Sequence, residues 1–315
     1  MKHITILLLS SVCLAGSLII PQIVEAEFSN TMEFGLHSGF RVDEFDWNIA
    51  GYNGQGQYIN VLSELDWEDL EIIQLGATGK LSVGKSTAEY SVYIRGSVDY
   101  GWISDGIARD SDYNGNNRTM EIYRSISATE NDNVLDSSIG LGIEKKYWQD
   151  ILSIGLLGGY SYHEQNMRLT NGEMLVPENN TLIGLNSTYD STWQGFFGGI
   201  DLELRPAPHF LFFGTIQYHW PDFEGEADWN LRDDFAHPVS FRHNADKADG
   251  FVCILGGNYL FSSGWILDLA FVYRNFSASD GMDLTFLNSG ATLTTKLNEV
   301  NWQSSAVNVG LTYRF

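Results

Sequence analysis

The sequence predicts an all-β chain, a ten-stranded antiparallel transmembrane β-barrel with five long extracellular loops. Apolar and polar side chains alternate with period two in ten segments, the gaps between segments are alternately long and short, and Trp and Tyr gather at segment ends. Composition agrees. The 315 residues include 32 Gly and 13% aromatics but only 18% charged residues and 6 Pro, which suits strands and tight turns rather than disorder. With 18 Lys+Arg against 40 Asp+Glu the formal net charge is -22, which excludes an electrostatic nucleic-acid binder. A mean hydropathy of -0.14 leaves no room for a bundle of membrane helices.

In chain order, residues 1–26 read as a secretory signal, and the barrel is expected over 27–315. Lys2 and His3 precede an apolar run from Ile4 to Ile20, and Val24-Glu25-Ala26 puts a small residue where a signal peptidase cuts. Cys13 leaves with the signal, so Cys253 is the only thiol of the mature chain and no intrachain disulfide can hold the fold. The first strand is Met32 to Val42, where Met32, Phe34, Leu36, Phe40 and Val42 oppose Glu33, His37 and Arg41. The others are Leu70–Leu81, Glu89–Trp102, Leu135–Glu144, Leu152–His163, Trp193–Arg205, Phe210–Trp220, Phe251–Phe261, Trp265–Phe276 and Ser305–Phe315.

The connections after the second, fourth, sixth and eighth strands are short, and those after the first, third, fifth, seventh and ninth are long. That is the plan of an outer-membrane barrel with both termini at the short-turn, periplasmic end. Rings at strand ends, among them Tyr90, Trp102, Trp193, Trp220, Trp265 and Tyr273, are expected at the lipid headgroups. The last strand ends on Phe315 and carries the pattern expected of a contact with the outer-membrane assembly machinery. Inward positions include Glu33, His37, Arg41, Lys80, Arg95, Asp99, Glu144, Asp201, Glu203, Asp268, Arg274 and Arg314. Such mixed charges should pair and fill a ten-stranded lumen, which argues against a wide diffusion pore.

Leu62-Ser63-Glu64-Leu65-Asp66-Trp67 before the second strand, Ser38-Gly39 in the first and Gly159-Tyr160 in the fifth resemble segments of the omptins, surface proteases of the bacterial outer membrane. The resemblance runs from about residue 32 to Phe315 and extends to the omptin-like outer-membrane proteins of chlamydia-related bacteria. It implies an Asp-Asp couple in the second long loop, matched by Asp110 and Asp112, and an Asp-His couple in the fourth, where Asp234 and His237 stand. Carboxylates two apart on an extended segment share a face and can share a proton. Asp234 and His237 are three apart, which turns them to opposite faces unless the chain bulges; His243 and His219 are other candidates. The family's acidic site for a basic substrate side chain would fall on Asp43. Its lipopolysaccharide site would fall on Tyr162 and Glu164, with Asn166 where the family has Arg, so the chain lacks part of that site; no cofactor is implied, and lipopolysaccharide is the one bound lipid the resemblance suggests.

No spacing suggests zinc, a phosphate loop or a serine-nucleophile elbow, and no metal is assigned. Asp110, Asp112, Asn114, Gly115 and Glu121 match a twelve-residue calcium loop, although Arg118 occupies a ligand position and no flanking helix is predicted. Two functions are weighed: a surface protein displaying acidic loops, and an endopeptidase that would need both couples facing one another. The first is favoured, and outer-membrane lipid is the expected surrounding. A peptide or host-surface partner cannot be named from the sequence.

Overall fold

The computed structural model describes residues 28–85, 89–148 and 150–315. The expected signal segment and the cleavage position before Glu27 lie outside the described residues. Ten long strands form the closed ring: β1 (Phe28–Tyr52), β2 (Tyr58–Lys85), β3 (Tyr90–Gly115), β5 (Asp132–Tyr147), β6 (Leu152–Val176), β8 (Ser187–Ala207), β9 (Phe210–Asp228), β11 (Lys247–Leu260), β12 (Trp265–Phe286) and β13 (Thr292–Arg314). Three shorter strands, β4 (Thr119–Thr129), β7 (Asn180–Leu182) and β10 (Phe241–Ala245), continue the wall at the long-loop end. Every neighbour is antiparallel, and β1 pairs with β13 from Glu33↔Arg314 to Ala50↔Lys296, so the sheet has closed on itself. Closure removes the unpaired edges that lipid cannot solvate.

Each predicted strand is present, but most are longer. β1 has 25 residues and β2 has 28, whereas about 9–11 suffice to cross a bilayer, so the excess rises above it as a second, water-exposed storey. Lower down, apolar side chains such as Leu36, Phe40, Leu75, Ile94, Leu141 and Phe271 are exposed on the outside, where lipid would cover them. Two aromatic belts bound that zone. Trp265 and Tyr313 (ring centroids 5.0 Å apart) lie at the short-turn end, and Tyr100–Trp102 (4.9 Å) and Tyr218–Trp220 (5.2 Å) lie at the other.

The interior is divided at mid-height. Lys80 pairs with Glu203 (2.9 Å), Arg95 with Asp201 (3.0 Å), Arg314 with Glu33 (2.6 Å) and His37 with Asp99 (2.5 Å), as the mixed-charge lumen predicts. These groups surround a cavity of about 670 Å³ in the short-turn half, so the charges line the lumen without filling it. A glycine makes one of these crossings fit: a Cβ on Gly142 would come within 2.3 Å of the Tyr93 ring, which reaches past it to place its hydroxyl on Asp201 (2.6 Å).

Above the cavity lies a buried ion cluster. Arg41 donates to Asp43 through both Nε and Nη2 and to Asp136 through Nη1 (2.5 Å); His163 Nδ1 holds the other oxygen of Asp136 (2.7 Å). Trp302 Nε1 donates to Asp43 (2.9 Å). Higher still, aromatic rings close the barrel: Trp193 lies on Phe223 (4.5 Å) and Phe276 (5.7 Å), Phe276 on Trp302 (5.0 Å), and Tyr189 packs between Trp47 and Trp67. Trp193, expected at a lipid headgroup, is instead 0% exposed inside this plug. Its strand runs six residues above the predicted start, to Ser187, and its side chain points inward with Tyr189, Ser191 and Phe197.

Candidate functional site

At the outer rim β3 and β4 form a hairpin. Ala108 belongs to the aromatic core, so Asp110 and Asp112, two and four residues further, share its inward face and stand over the mouth. Side chains from two other segments reach them: Trp229 bonds to Asp110, Ser63 bonds to Asp112, and the Arg232 guanidinium lies near both. Burial, then the Asp112 charge, raises the Asp110 carboxyl well above its usual range. Burial also raises Asp112, against the opposing pull of Ser63 and Arg232. The pair therefore retains a proton more readily than ordinary surface carboxylates do.

Trp229 and Arg232 belong to the segment 229–240, which folds inward between β9 and β10. Trp229 stacks against Phe241 (4.8 Å), Ala236 N donates to Phe286 O (2.8 Å), and Phe235 bridges to Leu287. The segment thus covers the aromatic core and presents one cation to the two carboxylates.

The other candidate residues take different partners from those the sequence suggested. Asp234 accepts both Nε (2.9 Å) and Nη2 (2.8 Å) of Arg232, and these bonds lower its pKa. His237 is joined to Asp228 (2.6 Å). Asp234 and His237 do not bond to one another among the described residues; the turn between them separates the two, as a spacing of three implies. Asp43 is 1% exposed, with its oxygens taken by Arg41 and Trp302 below the plug. His219 is also buried, bonded to Ser161 (2.9 Å). The residues 110–121 form the β3–β4 hairpin. Asp110 and Asp112 face the mouth while Glu121 pairs with Arg124 (2.8 Å), and no group of three metal-binding side chains occurs among the described residues. On the outer wall, Tyr162 (2.5 Å) and Asn166 (2.8 Å) both donate to Glu164.

One buried constellation was not anticipated. Tyr189 OH meets His243 Nδ1 at 2.9 Å, and His243 Nε2 lies 3.4 Å from Asp283, whose other oxygen accepts from Thr295 (2.6 Å). His243 and Asp283 are 40 residues apart and meet only through the β10–β12 register. Their strand periodicity was hidden in what the sequence presents as loops.

The outside of this upper storey is acidic. Asp46 and Asp66 are direct cross-strand neighbours, with Glu64 and Glu68 beside them. Asp66 is pushed up to about 6, first by burial and then by Glu64 and Asp46. A carboxyl raised above its unfolded value favours the fold when protonated, and that contribution is lost as pH rises from about 4 through about 6. Asp66→Asn is therefore expected to stabilise the protein by up to about 1 kcal/mol at pH 8, after solvent screening, and to do nothing at pH 3. Denaturant unfolding in detergent at the two pH values measures this, and a gain that persists at pH 3 would refute it.

The sequence profile of the family described as Protochlamydia outer membrane protein matches residues 35–315. A search of curated proteins finds no match. Among solved structures, the outer membrane protease OmpT of Escherichia coli superposes with a TM-score of 0.70 at 12% identity, covering 90% of this chain and 97% of that one. The outer membrane protein OprG of Pseudomonas aeruginosa gives 0.33 at 10% identity, with 90% and 95% covered. The first likeness is one of fold.

Proposed function

Because the chain belongs to the Protochlamydia outer membrane protein family, and so to the β-barrels of the cell outer membrane, we propose that it is a closed, omptin-like barrel that displays an acidic upper storey at the cell surface. The observation that carries this reading is the aromatic plug, a layer of packed rings across the bore with Trp67, Trp193 and Trp302 almost completely buried. A lumen blocked by packed rings passes no hydrated solute, and what remains for the outside is the surface of the strands and loops. Outer-membrane lipid surrounds the lower zone, lipopolysaccharide is the lipid proposed for the upper belt, and the C-terminal strand ahead of Phe315 would meet the assembly machinery before β1 closes against it.

A second reading, an omptin-type endopeptidase, draws on the Asp110 and Asp112 carboxyls, both raised by burial. It requires an Asp-His couple opposite that pair; His237 does have an orienting carboxylate, Asp228 (2.6 Å) in place of Asp234, while His243 is buried against Phe241. A single preparation separates the two. Purified protein in planar bilayers is expected to give no steady porin-like conductance, and with basic-residue peptides, with or without lipopolysaccharide, no cleavage. Steady channels would overturn the closed-barrel reading. Cleavage abolished by Asp110→Asn would establish the endopeptidase instead.

A further inference from the structure

Two hairpin tips of this strongly acidic chain carry almost no charge. Residues 51–63, at the β1–β2 tip, and 113–120, at the β3–β4 tip, contain no Asp or Glu, and their single charge, Arg118, is paired with Glu64 (2.7 Å). The sequence there is rich in Tyr, Gly, Asn and Gln, the composition of antibody binding loops, where rigid aromatic rings supply contact area and small amides supply adaptable hydrogen bonds.

The structure joins the two tips into one surface. Asn60 bonds to both Asn116 (2.9 Å) and Asn117 (2.9 and 2.8 Å), while Asn298 of β13 donates to the Asn60 carbonyl (2.8 Å). Asn53 Oδ1 accepts from the backbone of Gln55 and Gln57 (both 3.0 Å) and fixes the turn. On this frame Tyr52 and Tyr58 stand edge to face, 5.3 Å apart, and remain 72% and 46% exposed. A Cβ on Gly54 or Gly56 would meet no atom within 4 Å, so the turn beside the rings is open. The Gln55 and Gln57 side chains are exposed and make no hydrogen bond among the described residues.

We propose that the joined tips recognise a neutral glycan. A pyranose presents one apolar face of C–H groups and a rim of hydroxyls that both donate and accept. Exposed tyrosine rings suit the face, and Asn and Gln amides, which also donate and accept, suit the rim. Charge sets the class: acidic glycans would be repelled by a chain of net charge -22, and this neutral surface gives a cationic one nothing to pair with. The amides that bind the tips together are already ordered, so a ligand would meet a preorganised platform. The surface would meet glycans outside the cell only if the barrel is oriented as proposed above, so the site and its display are tested separately.

Titration of purified protein in detergent with chitotetraose, cellotetraose and maltotetraose is expected to show binding of at least one, unaffected by added salt, with saturation-transfer signals from sugar C–H protons. Tyr52→Ala with Tyr58→Ala should weaken it at least about tenfold while heat-modifiability of the barrel on gels is unchanged. If the double variant does not fold, Gln55→Glu with Gln57→Glu, which alters only exposed polar groups, should lower the affinity in its place. No binding of any of the three at about 10 mM, equal binding by a folded variant, or binding of heparin alone would overturn the proposal. Binding by purified protein but not by intact cells would leave the site standing and refute the orientation.

Discussion

Arg41→Met is expected to destabilise the barrel by about 3–5 kcal/mol. Arg41 is 0% exposed and bridges Asp43 and Asp136. Removing it leaves two carboxylates in the interior with only Trp302, His163 and the more distant Arg274 (3.8 Å) to hold them. The cost arises from the stranded charges rather than from the lost attraction. Adding Asp43→Asn and Asp136→Asn to Arg41→Met should therefore recover much of the loss. Guanidinium titration in detergent decides the point, and a single variant within about 1 kcal/mol of wild type would show that the cluster is far better hydrated than its burial indicates.

The second large effect concerns passage through the bore. Trp193 and Phe276 touch in the layer between the cavity and the outer mouth, and Phe276 also covers His163 and His219. Truncating both to alanine should connect the cavity to the outside, converting a silent protein into one with a small, steady conductance. Carboxylates outnumber Lys and Arg along the lumen, so that conductance should favour cations. Each truncation also costs about 3–5 kcal/mol of packing, so folding must be verified by gel mobility before recording. A folded double variant as silent as wild type would show that closure lies elsewhere, in the segment 229–240 or the ion cluster.

The ring of ten strands and the inward charges were legible because one pattern repeats in every strand, apolar outside and polar inside. The upper storey was not, because there the two faces exchange character. In β1, Phe34, Leu36 and Phe40 face out and Glu33, His37 and Arg41 face in; beyond Asp43 the outward residues become Glu44, Asp46 and Asn48 and the inward ones Phe45 and Trp47. The period of two continues unbroken, but a reading that follows apolar residues on the lipid face stops where water replaces lipid. For the same reason Trp193 was assigned to the wrong face. At the rim, Asp110 and Asp112 could be recognised as a pair because a strand puts alternate residues together. The partners of His237 and His243 could not, because Asp228 lies across a turn and Asp283 lies on a neighbouring strand 40 residues further along the chain.

The exchange of faces has a consequence for how the molecule can vary. Below the upper belt every outward residue answers to lipid, and the wall tolerates little polar change. Above it, the same ten staves carry what amounts to a small water-soluble β-domain with its own hydrophobic centre, anchored by continuity of backbone rather than by a linker. Its exterior and its tips can be rewritten without altering a single lipid contact, so a bacterium can change the face it shows its surroundings while the embedded ring remains as it is.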